Sequence, residues 1–246
     1  MKSIMIMCAM VVTVSATAQQ TTTGSTTTQT KTYSKNFFST IGFGVGWQDF
    51  SGLNDRVKEF PEYEQLNDVT ALLHLGWLKE KNRLISNTQV TLGSTLSGNR
   101  DQKSSDVRFI GLGADVGYDL LASDRMMLYP LVGIGYEWYH AKFNRDVSSV
   151  DFDDVLGSPV LQNTIKAALF KNDFFTWRAG LGFNILNPKS NNYGIGIQAA
   201  YTGSFQDRSW KSSDNLNLNN SPKDRLGRIQ VSLILSGKMG AGMGMH

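Results

Sequence analysis

The chain has 246 residues, with 24 Lys and Arg against 21 Asp and Glu, which gives a formal net charge of +3. A charge this balanced does not favour a nucleic-acid partner. The only cysteine, Cys8, lies in the apolar stretch near the first residue, so we expect no disulfide, no thiol catalysis and no thiolate metal site in the rest of the chain.

The first 35 residues divide into two predicted segments. Residues 1–18 contain Lys2, an apolar run from Ile4 to Val14 and then Ala16-Thr17-Ala18, a pattern typical of a secretory signal peptide. The apolar run is too short to cross a bilayer as a helix. Residues 19–35 are rich in Thr, Gln and Ser without periodicity, which predicts a flexible N-terminal segment.

Eight blocks of alternating residues follow, and the connections between them are alternately long and short. In the first block, Phe37 to Gln48, aromatic and aliphatic residues alternate with Gly42, Gly44 and Gly46. Tight turns on one side and long loops on the other are typical of outer-membrane barrels. Residues 36–238 are therefore predicted to form an all-β, eight-stranded antiparallel up-and-down transmembrane β-barrel. Its turns would be periplasmic and its long loops extracellular, with a C-terminal tail at 239–246.

The two faces of the blocks differ in a way that assigns inside and outside. The polar faces hold many glycines and no lysine, which favours a crowded interior over a surface facing water. The apolar faces are nearly free of charge, as hydrocarbon requires. Four tryptophans have the outward parity near block ends and are predicted to be lipid-interface aromatics: Trp47, Trp77, Trp138 and Trp177.

The most specific group of residues in the sequence consists of charged residues with inward parity. They are predicted to form a structural polar cluster in the lumen, because buried charges are costly unless paired. Glu137 and Arg178 stand close to the two ends of the third long loop, so we expect them to form an ion pair. Eight strands leave room only for side chains, which favours a plug over a selectivity filter. The cluster comprises Asp115, Glu137, Arg178, Arg228 and His74.

Two long loops are expected to contain short helices that pack on the barrel mouth. In the first, Leu53, Val57 and Phe60 are spaced as one helical face. In the third, Ser158 can cap a helix whose first turn contains Pro159.

Catalytic, cofactor and metal sites are not predicted. Asp151, Asp153 and Asp154 lack the glycine and the glutamate that an EF-hand loop needs after them. His140 has outward parity near the outer rim, where a lipid-modifying enzyme would need a serine and an acid beside it. No serine of matching parity is found on the neighbouring blocks, so the chain is expected not to be an enzyme.

In its glycine-rich inward faces, its outward aromatics such as Trp138 and Trp177 and its loop alternation, the chain resembles the small eight-stranded outer-membrane barrels of the OmpA/OmpX type over residues 37–237. That family usually ends its last strand at a terminal aromatic, whereas this chain continues from Leu235 to His246 without one.

The resemblance implies a bacterial outer-membrane location. It also implies outer-membrane lipid, lipopolysaccharide and the barrel assembly machinery as partners of a monomer. The expected role is structural, or a surface interaction through the extracellular loops with a ligand that the sequence does not identify. The alternatives are a narrow porin-like channel for small solutes and an outer-membrane enzyme that acts on lipid.

Overall fold

The computed structural model describes residues 36–95, 103–121, 123, 125–145, 151–164, 166–187, 193–214 and 216–238. The predicted signal peptide, the N-terminal segment 19–35 and the tail 239–246 lie outside these ranges. The long strands are β1 (Asn36–Gln48), β2 (Val69–Lys81), β3 (Leu84–Thr95), β4 (Ser104–Tyr118), β5 (Met126–Asn144), β6 (Ala168–Leu186), β7 (Tyr193–Ser204) and, after three two-residue strands, β11 (Gly227–Lys238).

The eight long strands close on themselves. Each is antiparallel to its neighbours in the order β1-β2-β3-β4-β5-β6-β7-β11, and β11 pairs with β1 to complete the ring, for example through Val45 opposite Val231. Closure leaves none of these strands with an unpaired edge, which is the usual liability of a β-sheet. The predicted eight-stranded antiparallel barrel is confirmed.

Side chains alternate strictly between the lumen and the outer surface. On β1, Phe43 is 54% exposed while Phe38, of the opposite parity, is 1% exposed. The same alternation runs around the ring and leaves an outer surface made mainly of aliphatic and aromatic residues, with Ser86 and Thr88 on β3 as polar exceptions. Among the described residues, no helix is long and apolar enough to cross a membrane.

The β2–β3 connection is a two-residue turn in which Asn82 and Arg83 both have positive φ, 53° and 70°. Such a hairpin turn matches the twist of its strands but is unfavourable for a long side chain such as arginine. Arg83 is held there because its Nε donates to the Asp119 carbonyl at 2.9 Å and its guanidinium lies 4.8 Å from the Tyr118 ring centroid. Tyr118 and Asp119, at the end of β4, thus hold the β2–β3 turn in place.

The long connections contain three short helices and three short strands. The bounds are α1 Ser51–Val57, α2 Phe152–Gly157, α3 Pro159–Thr164, β8 Arg208–Ser209, β9 Lys211–Ser212 and β10 Lys223–Asp224.

Helix α1 buries Leu53 and Val57 as expected, but it is shorter than predicted. Phe60 lies beyond its end and is 51% exposed, because the chain turns ahead of Pro61. Helix α3 begins at the predicted Pro159, and the Ser158 hydroxyl accepts a bond from the Leu161 N–H at 3.4 Å.

The interior of the barrel is stratified. An apolar layer at the short-turn end contains Phe38, Leu78, Ile85, Met127, Tyr129, Leu131 and Leu186. A second apolar layer at the loop end joins α1 to the strand ends and contains, among others, Phe50, Leu53, Phe109, Tyr139, Phe143, Phe174 and Trp210. Between them lies a polar layer, and it holds the charged residues.

Candidate functional site

The polar layer is built by inward-facing residues from most of the strands. All five members of the predicted lumen cluster are buried in it, each at most 7% exposed: His74, Asp115, Glu137, Arg178 and Arg228. The strand parity that makes the neighbouring residues face outward places these side chains in the lumen.

Glu137 and Arg228 form a bidentate ion pair across the lumen. Arg228 Nη2 donates to Glu137 Oε1 at 2.6 Å, and Arg228 Nη1 donates to Oε2 at 2.9 Å. The two residues stand on β5 and β11, which are not neighbours in the ring. The pair therefore bridges opposite walls of the barrel, in the geometry that gives arginine–carboxylate pairs their strength and specificity.

The surroundings of this pair satisfy its remaining hydrogen-bonding groups. Arg228 Nε donates to Gln230 Oε1 at 3.1 Å, and the Tyr139 hydroxyl accepts from Nη1 at 2.8 Å while lying 2.7 Å from Glu137 Oε2. The Phe109 ring lies against the guanidinium, 4.4 Å from ring centroid to Cζ, and so couples the pair to the loop-end apolar layer.

Asp115 and Arg178 form a second pair one level nearer the turns. Arg178 Nη1 lies 3.4 Å from Asp115 Oδ2, and Nη2 donates to Gln198 Oε1 at 2.7 Å. Gly133 stands directly between them in the register, opposite Asp115 on one side and Arg178 on the other. A Cβ on Gly133 would approach Asp115 Oδ1 to 2.1 Å, so only glycine leaves room for the carboxylate.

The predicted Glu137–Arg178 pair is wrong. Arg178 is opposite Gly133 in the β5–β6 register, whereas Glu137 is opposite Phe174. The two charges are therefore offset by four residues, about 13 Å along the strand. Glu137 pairs instead with Arg228, and Arg178 pairs with Asp115.

His74 is a hydrogen-bonded member of the layer. Its Nδ1 lies 3.0 Å from the Thr91 hydroxyl, and its Nε2 lies 3.0 Å from the Ser232 hydroxyl. In the described part of the chain, no group of three or more His, Cys, Asp or Glu side chains is arranged to hold a metal ion.

Of the four outward tryptophans, Trp47, Trp77 and Trp138 are 51%, 48% and 39% exposed on the outer surface. Trp177, also on that surface, packs against Tyr201 with 5.3 Å between ring centroids.

Sequence reasoning missed the fifth tryptophan, Trp210, which is buried in the last long loop. Its Nε1 donates to Asp224 Oδ2 at 2.5 Å, and burial raises the pKa of the Asp224 carboxyl above its ordinary value. Trp210 lies outside any alternating block, so period-two analysis gave no signal for it.

A cavity of about 440 Å³ opens between α1, the loop ends of β5 and β6, and the last long loop. Its walls include Leu53, Tyr63, Phe170 and Trp210, so it is mostly apolar. Arg145 stands at its edge, where Nε donates to the Tyr63 hydroxyl at 2.7 Å. Volume and lining fall in the range of small-molecule pockets.

His140 lies exposed on the outer surface, between Arg108 on β4 and Lys171 on β6. Within the described ranges, no hydrogen bond joins it to a serine or to a carboxylate. Asp153 and Asp154 occupy the first turn of α2, directly after Asp151.

No protein-family model matches this chain, and no curated protein matches it. Among solved structures, a major outer membrane protein from Thermus thermophilus is similar, with 12% identity over 81% of this chain and 98% of that one and a TM-score of 0.48. The attachment invasion locus protein Ail of Yersinia pestis (15%, 83% and 99%, TM-score 0.45) and Neisserial surface protein A (11%, 81% and 96%, TM-score 0.44) are also similar. None of these similarities assigns a ligand or an activity to this chain.

A double-mutant cycle tests the pair across the lumen. Glu137→Gln alone strands the Arg228 charge in the interior, and Arg228→Gln alone strands Glu137, so each should lower the free energy of unfolding by about 3–5 kcal/mol. The combined variant should lose clearly less than the sum, because no charge is left unpaired. Urea titrations in lipid bilayers give the three values.

The exposed pair Arg56–Glu59, 3.9 Å apart on the loop side, provides the matched control. Arg56→Gln should change the free energy of unfolding by no more than about 1 kcal/mol. Strict additivity of the two lumen substitutions would contradict the ion pair.

Proposed function

We propose that this chain is an outer-membrane β-barrel whose lumen is closed, and that it acts structurally and through contacts made by its loop side, without catalysis. The observation that carries this proposal is a mainly apolar outer belt around an interior filled by paired charges. Outer-membrane lipid, lipopolysaccharide and the barrel assembly machinery are the partners that such a barrel needs, and it requires no second copy to close.

The height of the belt supports the placement in a membrane. The outward residues of β5 are apolar or aromatic from Met126 to Trp138, and polar residues resume at His140. Twelve steps along a strand cover about 40 Å. At the tilt usual for such barrels this is about 30 Å along the barrel axis, which equals the hydrocarbon thickness of a bilayer.

The filled lumen favours a structural role over a channel. A cavity of about 20 Å³ lies between the two ion pairs, lined by residues such as Gln89, Thr176 and Gln230. That volume holds one or two water molecules. A solute would have to displace both charge pairs and both apolar layers to pass.

The loop side supports contacts with other molecules. Its own buried core holds α1 against the strand ends, so the surface above the belt has a defined shape. Several large apolar side chains project from this surface, among them Leu156 at 65% exposure and Leu216 at 64%. Exposed apolar residues grouped at one end of a protein are typical of interaction surfaces.

Catalysis on lipid has no support at His140. A nucleophile and a base must lie within hydrogen-bond reach of each other, with a third group to orient the base. In the described part of the chain, His140 has cations rather than a serine and an acid as its cross-strand neighbours.

Cysteine labelling on whole cells tests the orientation. Ser158→Cys and Asn219→Cys, on the loop side, should react with a membrane-impermeant maleimide, whereas Lys81→Cys at the short-turn end should react only after lysis. The unchanged chain, with Cys8 alone, gives the background. Labelling of Lys81→Cys on intact cells, with silent loop positions, would show that the orientation is inverted.

Photo-crosslinking tests the interaction role. A benzophenone amino acid in place of Leu156 or Leu216 should give protein adducts on living cells, because these side chains project from the loop surface. The same group in place of Ile134, which is 55% exposed on the belt, should crosslink to lipid. Protein adducts that are no more frequent at the loop positions than at Ile134 would contradict a surface-interaction role.

A further inference from the structure

Four basic side chains stand in one row across four adjacent strands on the outer surface. Arg108 on β4 is opposite His140 on β5, His140 is opposite Lys171 on β6, and Lys171 is opposite Lys211 on β9. Lys171 and Lys211 are directly opposed like charges, which destabilise a sheet, so this row needs a reason.

Acidic groups near the row compensate only one of its cations. Asp106 lies 3.1 Å from Arg108 Nε and is opposite Lys142 in the next row towards the loops. Asp173, in the row below, accepts the hydrogen bond of the Tyr136 hydroxyl. Among the described residues, no ion pair includes Lys142, Lys171 or Lys211. The surface therefore carries a local excess of positive charge.

The row is concave. A cavity of about 220 Å³ lies along it, lined by Arg108, His140, Lys142, Lys171, the single acid Asp106 and Ser213, with apolar groups such as Leu169. Arg108, Lys142 and Lys171 thus line one space that an anionic group can occupy, and Lys211 stands opposite Lys171 beside it.

The height of the row places it at a membrane surface. His140 is two residues beyond Trp138, the last member of the apolar belt on β5, which is about 7 Å along the strand. Tryptophans at that level mark the boundary between hydrocarbon and headgroups. The row therefore lies where the phosphate groups of the loop-side leaflet would be.

We propose that this basic row, with Lys142, binds the phosphate groups of a phosphorylated glycolipid in the outer leaflet. The inference rests on the membrane placement proposed above and specifies the lipid partner and its site. Arginine and lysine form charge-assisted hydrogen bonds with phosphate oxygens, and a bound phosphate removes the repulsion along the row. The apolar belt directly below accommodates the acyl chains of the same lipid.

Binding is measured with the full chain in a neutral detergent, by native mass spectrometry, with diphosphoryl lipid A and its dephosphorylated form as probes. The unchanged protein should retain the phosphorylated form in clear preference. Lys171→Gln with Lys211→Gln should weaken its binding about 25-fold, roughly fivefold for each cation. Lys58→Gln with Lys223→Gln, an equal loss of charge at exposed loop-side positions, should leave binding within about twofold.

Thermal stability distinguishes phosphate binding from a merely structural role of the two lysines, because only binding predicts that the lipid changes the order of the melting temperatures. In neutral detergent alone, the Lys171→Gln, Lys211→Gln variant should melt at a higher temperature than the unchanged protein, because a repulsion is removed. With diphosphoryl lipid A the order should reverse.

Three results would overturn the proposal: equal retention of the two lipid A forms, undiminished binding by the variant, or full stabilisation by inorganic phosphate alone. The last would identify a site for free anions. The whole-cell maleimide pattern does not depend on this row, so a failure here leaves the membrane orientation standing.

Discussion

The structure depends on one constraint: an eight-stranded ring leaves an interior that side chains must fill, and every charge inside must find its partner there. Glu137 and Arg228 meet this constraint by reaching across the lumen from opposite walls, while Asp115 and Arg178 meet it along one wall, over Gly133. A buried pair of this kind adds little to stability compared with an apolar filling. The pair instead fills the lumen and so closes the barrel. It also raises the free energy of any strand register that separates the two charges.

The two ends of the barrel differ in what they can do. At the short-turn end an apolar layer and tight turns complete the ring, and the Arg83 side chain holds one turn against the next. At the other end β5 and β6 extend beyond the apolar belt, and α1 and the last long loop pack on them around Trp210. The contacts proposed for this chain, with lipid phosphates at the rim and with proteins above it, both require this extension.

The sequence predicted the strands, their faces and the membership of the lumen cluster, because the period of two is a local property of the backbone. It did not predict which charges pair. The pairing depends on the stagger between strands. An offset of four residues separates Glu137 from Arg178, so that Glu137 pairs with Arg228 and Arg178 pairs with Asp115. The buried core on the loop side could not be predicted from the sequence either. Trp210 and Asp224 come together through tertiary contacts, with no periodic pattern around either residue.

The claim that the paired charges close the barrel is tested most directly by the electrical conductance of the unchanged protein in planar lipid bilayers. Membranes with correctly inserted barrels should show at most small and rare current steps, since ions would have to separate both charge pairs and cross two apolar layers. A steady open conductance that scales with the number of inserted barrels would contradict this closure.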